Sequence, residues 1–271
     1  MTRKGTILVV GSNAKRFALR DGKSAEVGYY LNELAIPTQA AVDAGYDAVL
    51  ATPTGAVPVM DPQSNSPHHF GGSVEALEKA LTFVRTYPGF QKPRSLRSVI
   101  EENLDEYAGI FVPGGHPPMI DLMQDGDLGE VLRHFHAAGK PTVLLCHGPI
   151  AATAAMPKAR EFRAALVAGD VEAARAAAAG WQYAGYRMTV FSDDEERWAE
   201  ENLMNGAKVP FYVYDALEIA GGKLEKAPGG IFKPHLVQDR ELITGQNPPS
   251  DHIVAERLVH ALDAQTSAHA A

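Results

Sequence analysis

The sequence predicts an α/β protein with a mostly parallel sheet covered by helices on both faces. Two patterns carry this: short β-branched runs alternate with longer stretches of helical spacing, and two of those runs end in turn-forming glycines and prolines, at "VPGGH" and "CHGP". Length and composition agree, because 271 residues at 45% hydrophobic content can bury a large core as one domain spanning residues 1–271.

Taken in order, Thr6 to Val10 forms the first strand. Residues 28–44, "GYYLNELAIPTQAAVDA", place apolar residues at helical spacing interrupted by Pro37 and stopped by Gly45; "YDAVLATP" then closes a βαβ unit. Residues 55–107 read as an insertion over one sheet edge, a loop "GAVPVMDPQSNSPHHFGGS" followed by a helix "SVEALEKALTFVRT" with Ser73 as its cap. "AGIFVPGGH" is the next strand, and "DLGEVLRHFHAAGK" is a helix leading to the strand "PTVLLC". Pro149 suits a first helical turn and "IAATAAM" has high helix propensity, so a helix should follow Cys146. Residues 157–185 form an Ala-rich helical insertion, before a strand ending at Phe191 and the acidic start of the helix "DDEERWAEENL". The C-terminal "AQTSAHAA" is small and polar, and residues 265–271 are expected to be a disordered tail.

Several function classes fall away. The apolar run Thr6 to Val10 is too short for a signal-peptide core or a membrane span, so no membrane association is expected. Cys146 is the only cysteine; it cannot form an intramolecular disulfide, and the cytoplasm is the expected compartment. A formal charge of -8 without long Lys/Arg runs argues against a nucleic-acid partner, which leaves small molecules and other proteins. "GSNAK" after the first strand has neither phosphate-binding pattern, so no nucleotide cofactor is expected, and His68 and His69 lack a third spaced metal ligand.

What remains is the thiol itself. Cys146 ends an apolar strand and is followed by a histidine, a glycine and a helix-starting proline, the arrangement of a nucleophile on a sharp strand-to-helix turn, where backbone amides and the helix dipole favour a thiolate. The bland alternative is a small buried hydrophobe at a strand end.

"ELAIP" before "AGYDAVLATPTG", then "IFVPGGHPPMIDL", "LLCHGPIA" and "RELITGQNPPS", together resemble the ThiJ/PfpI superfamily, specifically its glutathione-independent glyoxalase III and heat-shock chaperone class. The resemblance spans roughly residues 5–262. It implies a flavodoxin-like three-layer sandwich with a nucleophile elbow, and matches Cys146 as nucleophile, Glu33 as the glutamate beside the sulfur and His147 as the histidine paired to a later acid. Counting from Phe191 places Glu196 at the position of that acid, with Asp193, Asp194 and Glu195 near enough to compete; alternatively this acidic group is only the negative first turn of a helix. Glu33 sits among Leu31, Leu34, Ala35 and Ile36, where desolvation and the thiolate would favour its protonated form and make it a proton shuttle; Glu26 is its competitor. Gly114 and Gly115 are expected to let a backbone amide form an oxyanion hole with the amide of Cys146 or His147, and His116 to line the pocket. Some members of the class hold a metal on His/Glu/His; the first two of those positions here are Val42 and Asp47, so no metal and no cofactor are expected.

The resemblance implies conversion of methylglyoxal or a related 2-oxoaldehyde to a 2-hydroxy acid, in a homodimer. Deglycation of amines and thiols, or hydrolysis or hydration of a small carbon–nitrogen substrate, could use the same site. Glutamine amidotransfer fits less well, because His147 adjoins the cysteine. A holdase chaperone binding unfolded client proteins is the reading of a different class. Its candidate surface is residues 157–185, which otherwise read as a lid over the cleft or a dimer contact.

Overall fold

A computed structural model describes residues 3–269, with side chains through residue 266. Its central sheet has seven strands: β1 (Gly5–Val10), β2 (Tyr46–Thr52), β3 (Arg94–Ser95), β4 (Tyr107–Val112), β5 (Thr142–Leu145), β6 (Leu236–Asp239) and β7 (Leu242–Gly245), in the order β6-β7-β5-β4-β1-β2-β3. All neighbours are parallel except the hairpin β6–β7. β5 is wholly buried, as expected of a strand with helices on both faces.

Helix α1 (Leu31–Asp43) joins β1 to β2; α2 (Val74–Thr86) lies in the 55–107 segment, which also supplies edge strand β3; and α3 (Gly126–Ala137) joins β4 to β5. The crossovers through α1 and α3 step in opposite directions across the sheet, so right-handed connections place those helices on opposite faces. The chain therefore reverses direction between β1 and β4. In open α/β sheets, ligands bind outside the carboxyl ends at such a reversal. The flavodoxin-like sandwich is the architecture found.

Four local expectations need correction. Pro37 does not interrupt its helix: α1 runs through it, losing only the N–H that would bond the Glu33 carbonyl, while the burial of Leu34, Ala35, Thr38 and Ala41 holds the turn. Residues Gly148–Ala155 after the cysteine wind as a 3-10 helix. All eight are buried, and Thr153 Oγ1 donates to the carbonyls of Met123 and Ile150, so packing overrides alanine's α propensity. The strand expected to end at Phe191 is only Arg187–Met188, paired with Lys223–Leu224 outside the main sheet. Beyond it Thr189 N–H donates to Thr244 Oγ1 and Phe191 N–H to the Cys146 carbonyl, replacing a strand ladder. Finally, the last helix extends to His269, so residues 265–269 of the expected tail are helical, and residues 270–271 lie outside the described region.

The 157–185 segment forms α4 (Ala159–Ala168) and α5 (Val171–Ala177), with Phe162, Leu166, Trp181 and Tyr183 in the core. Helix α6 (Asp193–Asn202) follows, and α7 (Asp251–His269) packs against α1. Among the described residues no helix is long and apolar enough to cross a membrane.

Candidate active site

Cys146 follows directly after β5 with φ +60°, a left-handed conformation that non-glycine residues rarely adopt. Two hydrogen bonds hold it there: its N–H donates to the Gly245 carbonyl at 2.9 Å, and its carbonyl accepts the Phe191 N–H at 2.9 Å. The fold thus over-determines a strained residue, the usual condition for such strain at a working site. The sulfur sits 3.4 Å from His147 Nδ1.

Glu33, in the first turn of α1, is fully buried. Gly114 N–H donates to its Oε2 at 3.0 Å, while Oε1 has no oxygen or nitrogen partner and the carboxyl meets the Cys146 thiol. Only glycine fits between them: a Cβ on Gly114 would lie 2.5 Å from both Cys146 Cβ and Glu33 Oε2. Gly115, at φ +83°, presses against the Gly28 carbonyl and turns its amide to the sulfur.

This geometry narrows the expected backbone donors. The Gly114 amide is spent on Glu33 and the Cys146 amide on Gly245, so the amides left near the sulfur are those of Gly115, turned toward it, and His147. The surroundings of the sulfur work against the expected thiolate. Burial, and then the Glu33 carboxylate, push the Cys146 thiol up. Burial likewise pushes Glu33 up to about 8, so both shifts favour the protonated forms.

Of the four competing acids, Glu196 reaches the histidine: His147 Nε2 lies 2.7 Å from Glu196 Oε2. Glu195 instead closes a capping box with Ser192 and accepts from Asn247 and Gln246, Asp194 pairs with Arg197, and Asp193 sits in α6's first turn. Glu196 itself lies in that acidic first turn, so the first-turn reading and the pairing reading both apply. A second histidine, not foreseen as a partner, occupies the other oxygen: His116 Nε2 lies 2.9 Å from Glu196 Oε1. An ionised carboxylate only accepts, so both Nε2 atoms donate and the unprotonated Nδ1 of a neutral His147 faces the thiol. Burial favours a neutral Glu196, but the two histidines outweigh it and hold the carboxyl well below the usual range.

His116, His147 and Glu196 offer three donor atoms within 4.8 Å of one another, yet here those atoms are committed to each other by hydrogen bonds. At the positions of the class's metal site, Val42 offers no donor and Asp47 pairs with Arg3.

The thiol opens on a cavity of about 390 Å³ walled by Tyr30, Phe191, Trp198, Leu203, Phe232 and Pro248, with His68 and His69 at its side. No lining residue comes from 157–185, so that segment is not a lid on this cavity, and its large exposed apolar residues are Val167 and Val171. A second, more polar cavity of about 610 Å³ shares Tyr30, Gln63, His116 and Leu203 with the first and is also lined by Arg20, Glu26 and Lys208. Glu26 is therefore on the approach, exposed, and not at the sulfur. The hairpin Arg16–Ala18/Ser24–Glu26 brings Phe17 against His116, and its only local signal in the sequence is the turn dipeptide Asp21-Gly22.

A profile described as ThiJ/PfpI family-like matches residues 24–178. Protein/nucleic acid deglycase HchA of Pseudomonas aeruginosa strain UCBPP-PA14 is 25% identical over 248 residues, covering 89% of this chain and 75% of that relative. The protein of the same name from Staphylococcus aureus strain Newman is 23% identical, covering 96% and 80%. Among solved structures, glyoxalase III of Candida albicans superposes with a TM-score of 0.71 at 20% identity, over 96% of this chain and 98% of that one. The Rapid Encystment Protein 24 KDa of Francisella tularensis gives 0.72 at 21% identity, over 95% and 99%. At these identities the structural likeness is one of fold.

Proposed function

The chain belongs to the ThiJ/PfpI family, and from that premise we propose that it is a glyoxalase III-like enzyme, converting a 2-oxoaldehyde such as methylglyoxal to the 2-hydroxy acid through Cys146. The observation that carries the reading is the buried Glu33 carboxyl against the Cys146 thiol, beside an imidazole whose free nitrogen faces the same sulfur.

In this mechanism His147 Nδ1 takes the thiol proton as sulfur attacks the aldehyde carbon, and the amides of Gly115 and His147 receive the developing oxyanion. Glu33, protonated at rest, gives its proton to that oxygen and becomes the base for the carbon it adjoins. It removes the proton from the thiohemiacetal carbon while His147 passes the thiol's proton to the ketone oxygen; Glu33 then protonates the neighbouring carbon of the enediol and takes back the hydroxyl proton of the former aldehyde carbon, which leaves His147 neutral and Glu33 protonated. The aldehyde carbon has then been oxidised to a thioester and the ketone carbon reduced to an alcohol, with no external redox partner. Water, activated by His147 on Glu196, releases the hydroxy acid and returns the thiol.

Deglycation is the second reading. The names of the relatives favour it, as does a cavity of about 390 Å³, which is roomy for a three-carbon dicarbonyl. The test is D-lactate formation from methylglyoxal by the purified protein and by Cys146→Ser. Product from the wild type alone is the expected result; equal product from both proteins, or none from either, overturns the reading.

A further inference from the structure

Glu196 has two oxygens and two imidazoles on it. Sequence position gives no reason for the second: His116 lies 80 residues before Glu196, just beyond the glycines that follow β4, and is 9% exposed. Its ring centroid stands 4.4 Å from that of His147, close enough for a charge on one to govern the other. One buried carboxylate can balance only one imidazolium. We propose that His116 is the cationic partner of Glu196 and a positioning residue for the Cys146 site, anchoring the carboxylate so that His147 keeps its Nε2–H bond and remains a neutral base toward the sulfur.

The surroundings of the two rings assign the charge the same way. Around His116, Glu196 and Glu200 from α6 and Asp61 from the loop before residues 62–64 all favour a cation. The opposing influences are His147, burial, and the apolar ring of Phe17 from the hairpin. Arg20, Lys23 and Lys208, with Asp21 and Glu26, line the cavity that His116 also borders. His147 is covered by Phe191 at 4.5 Å and faces the neutral thiol, with Glu196 and Glu195 pulling its proton on and His116 pushing it off. Burial lies heaviest on both rings, and only at His116 do the acids outweigh it.

The consequence for turnover rests on the mechanism proposed above, but the ionisation does not, so the two are measured apart. Ring ¹⁵N NMR of the wild-type protein at pH 7 should show one buried imidazolium, absent from the spectrum of His116→Gln, and a neutral Nε2–H tautomer for His147, identified by its loss in His147→Gln. A neutral His116, or a charged His147, overturns the proposal without any variant having to fold or turn over. In His116→Gln the amide can still donate to Glu196 but carries no charge. His147 should then titrate higher, by about one to three units, the range of a neighbouring charge. The acid limb of the pH profile for iodoacetamide alkylation of Cys146 should move up by the same amount. Slower alkylation with an unmoved limb would make His116 a mere lining residue and refute its role. Altered limbs together with absent D-lactate in the wild type would leave the His116 assignment standing and fail the glyoxalase reading alone.

Discussion

Replacing Glu33 by glutamine should make the protein more stable in mild alkali, by an amount the site sets. The carboxyl is fully buried, and burial raises its pKa from 4.5 to about 8. A group whose pKa is raised on folding supports the fold fully only while protonated: the contribution is whole below the unfolded value and is lost as pH rises through the folded one. For Glu33 that window runs from 4.5 to about 8. At about 1.4 kcal/mol per unit, the cost of holding the carboxyl in the site reaches about 5 kcal/mol above pH 8, and about 3 kcal/mol at pH 7. Glutamine never ionises; its oxygen can still accept from Gly114 and its amide faces the sulfur. Urea unfolding of both proteins between pH 5 and 9 should therefore give curves that diverge in favour of Glu33→Gln, with the gap growing across the window and levelling beyond it. Burial, the largest influence on the Cys146 thiol, holds it above its ordinary value in both proteins. Parallel curves would refute the argument, since a constant difference has no titration in it.

The same substitution separates nucleophile from shuttle. Glu33→Gln should retain most of the alkylation of Cys146 while turnover of methylglyoxal falls by at least about 100-fold, the lower range for acid–base assistance, whereas Glu26→Gln should cost little; parallel loss of alkylation and turnover would mean that Glu33 only tunes the thiol. Gly114→Ala places a Cβ 2.5 Å from Cys146 Cβ and Glu33 Oε2, with Leu145 O at 2.8 Å. It should destabilise by about 1–3 kcal/mol, as overpacking does, and abolish turnover; a stable, active Gly114→Ala protein, scored by urea midpoint and D-lactate yield, would show that the contact can relax.

The sheet was readable because its strands are buried on both faces and so appear as unbroken apolar runs: β1, β4 and β5 are spelled out in "TILVV", "AGIFV" and "PTVLL". Glu33 was suspicious for the same reason, a carboxylate among apolar neighbours. The winding after Cys146 was not readable, because alanine propensity is a weak local bias and the surrounding side chains decide. Nor was the Glu196–His116 bond, which joins residues 80 positions apart and leaves no periodic trace. The balance at the thiol is only half legible in the sequence: a helix start favours a thiolate, while burial and Glu33, which oppose it, come from segments distant in the chain.

The two bonds that pin Cys146 also say when a site of this kind comes into being. Its amide needs Gly245 and its carbonyl needs Phe191, both far downstream. β7 is the last strand of the sheet to be synthesised, yet it pairs directly with β5. A nascent chain lacking it presents β5 as an unpaired edge and lacks the carbonyl that holds the Cys146 amide. Chemical competence thus arrives with the closing of long loops, the slowest contacts to form. A truncated or half-folded copy therefore carries an ordinary cysteine, and only the completed fold bears an aimed one.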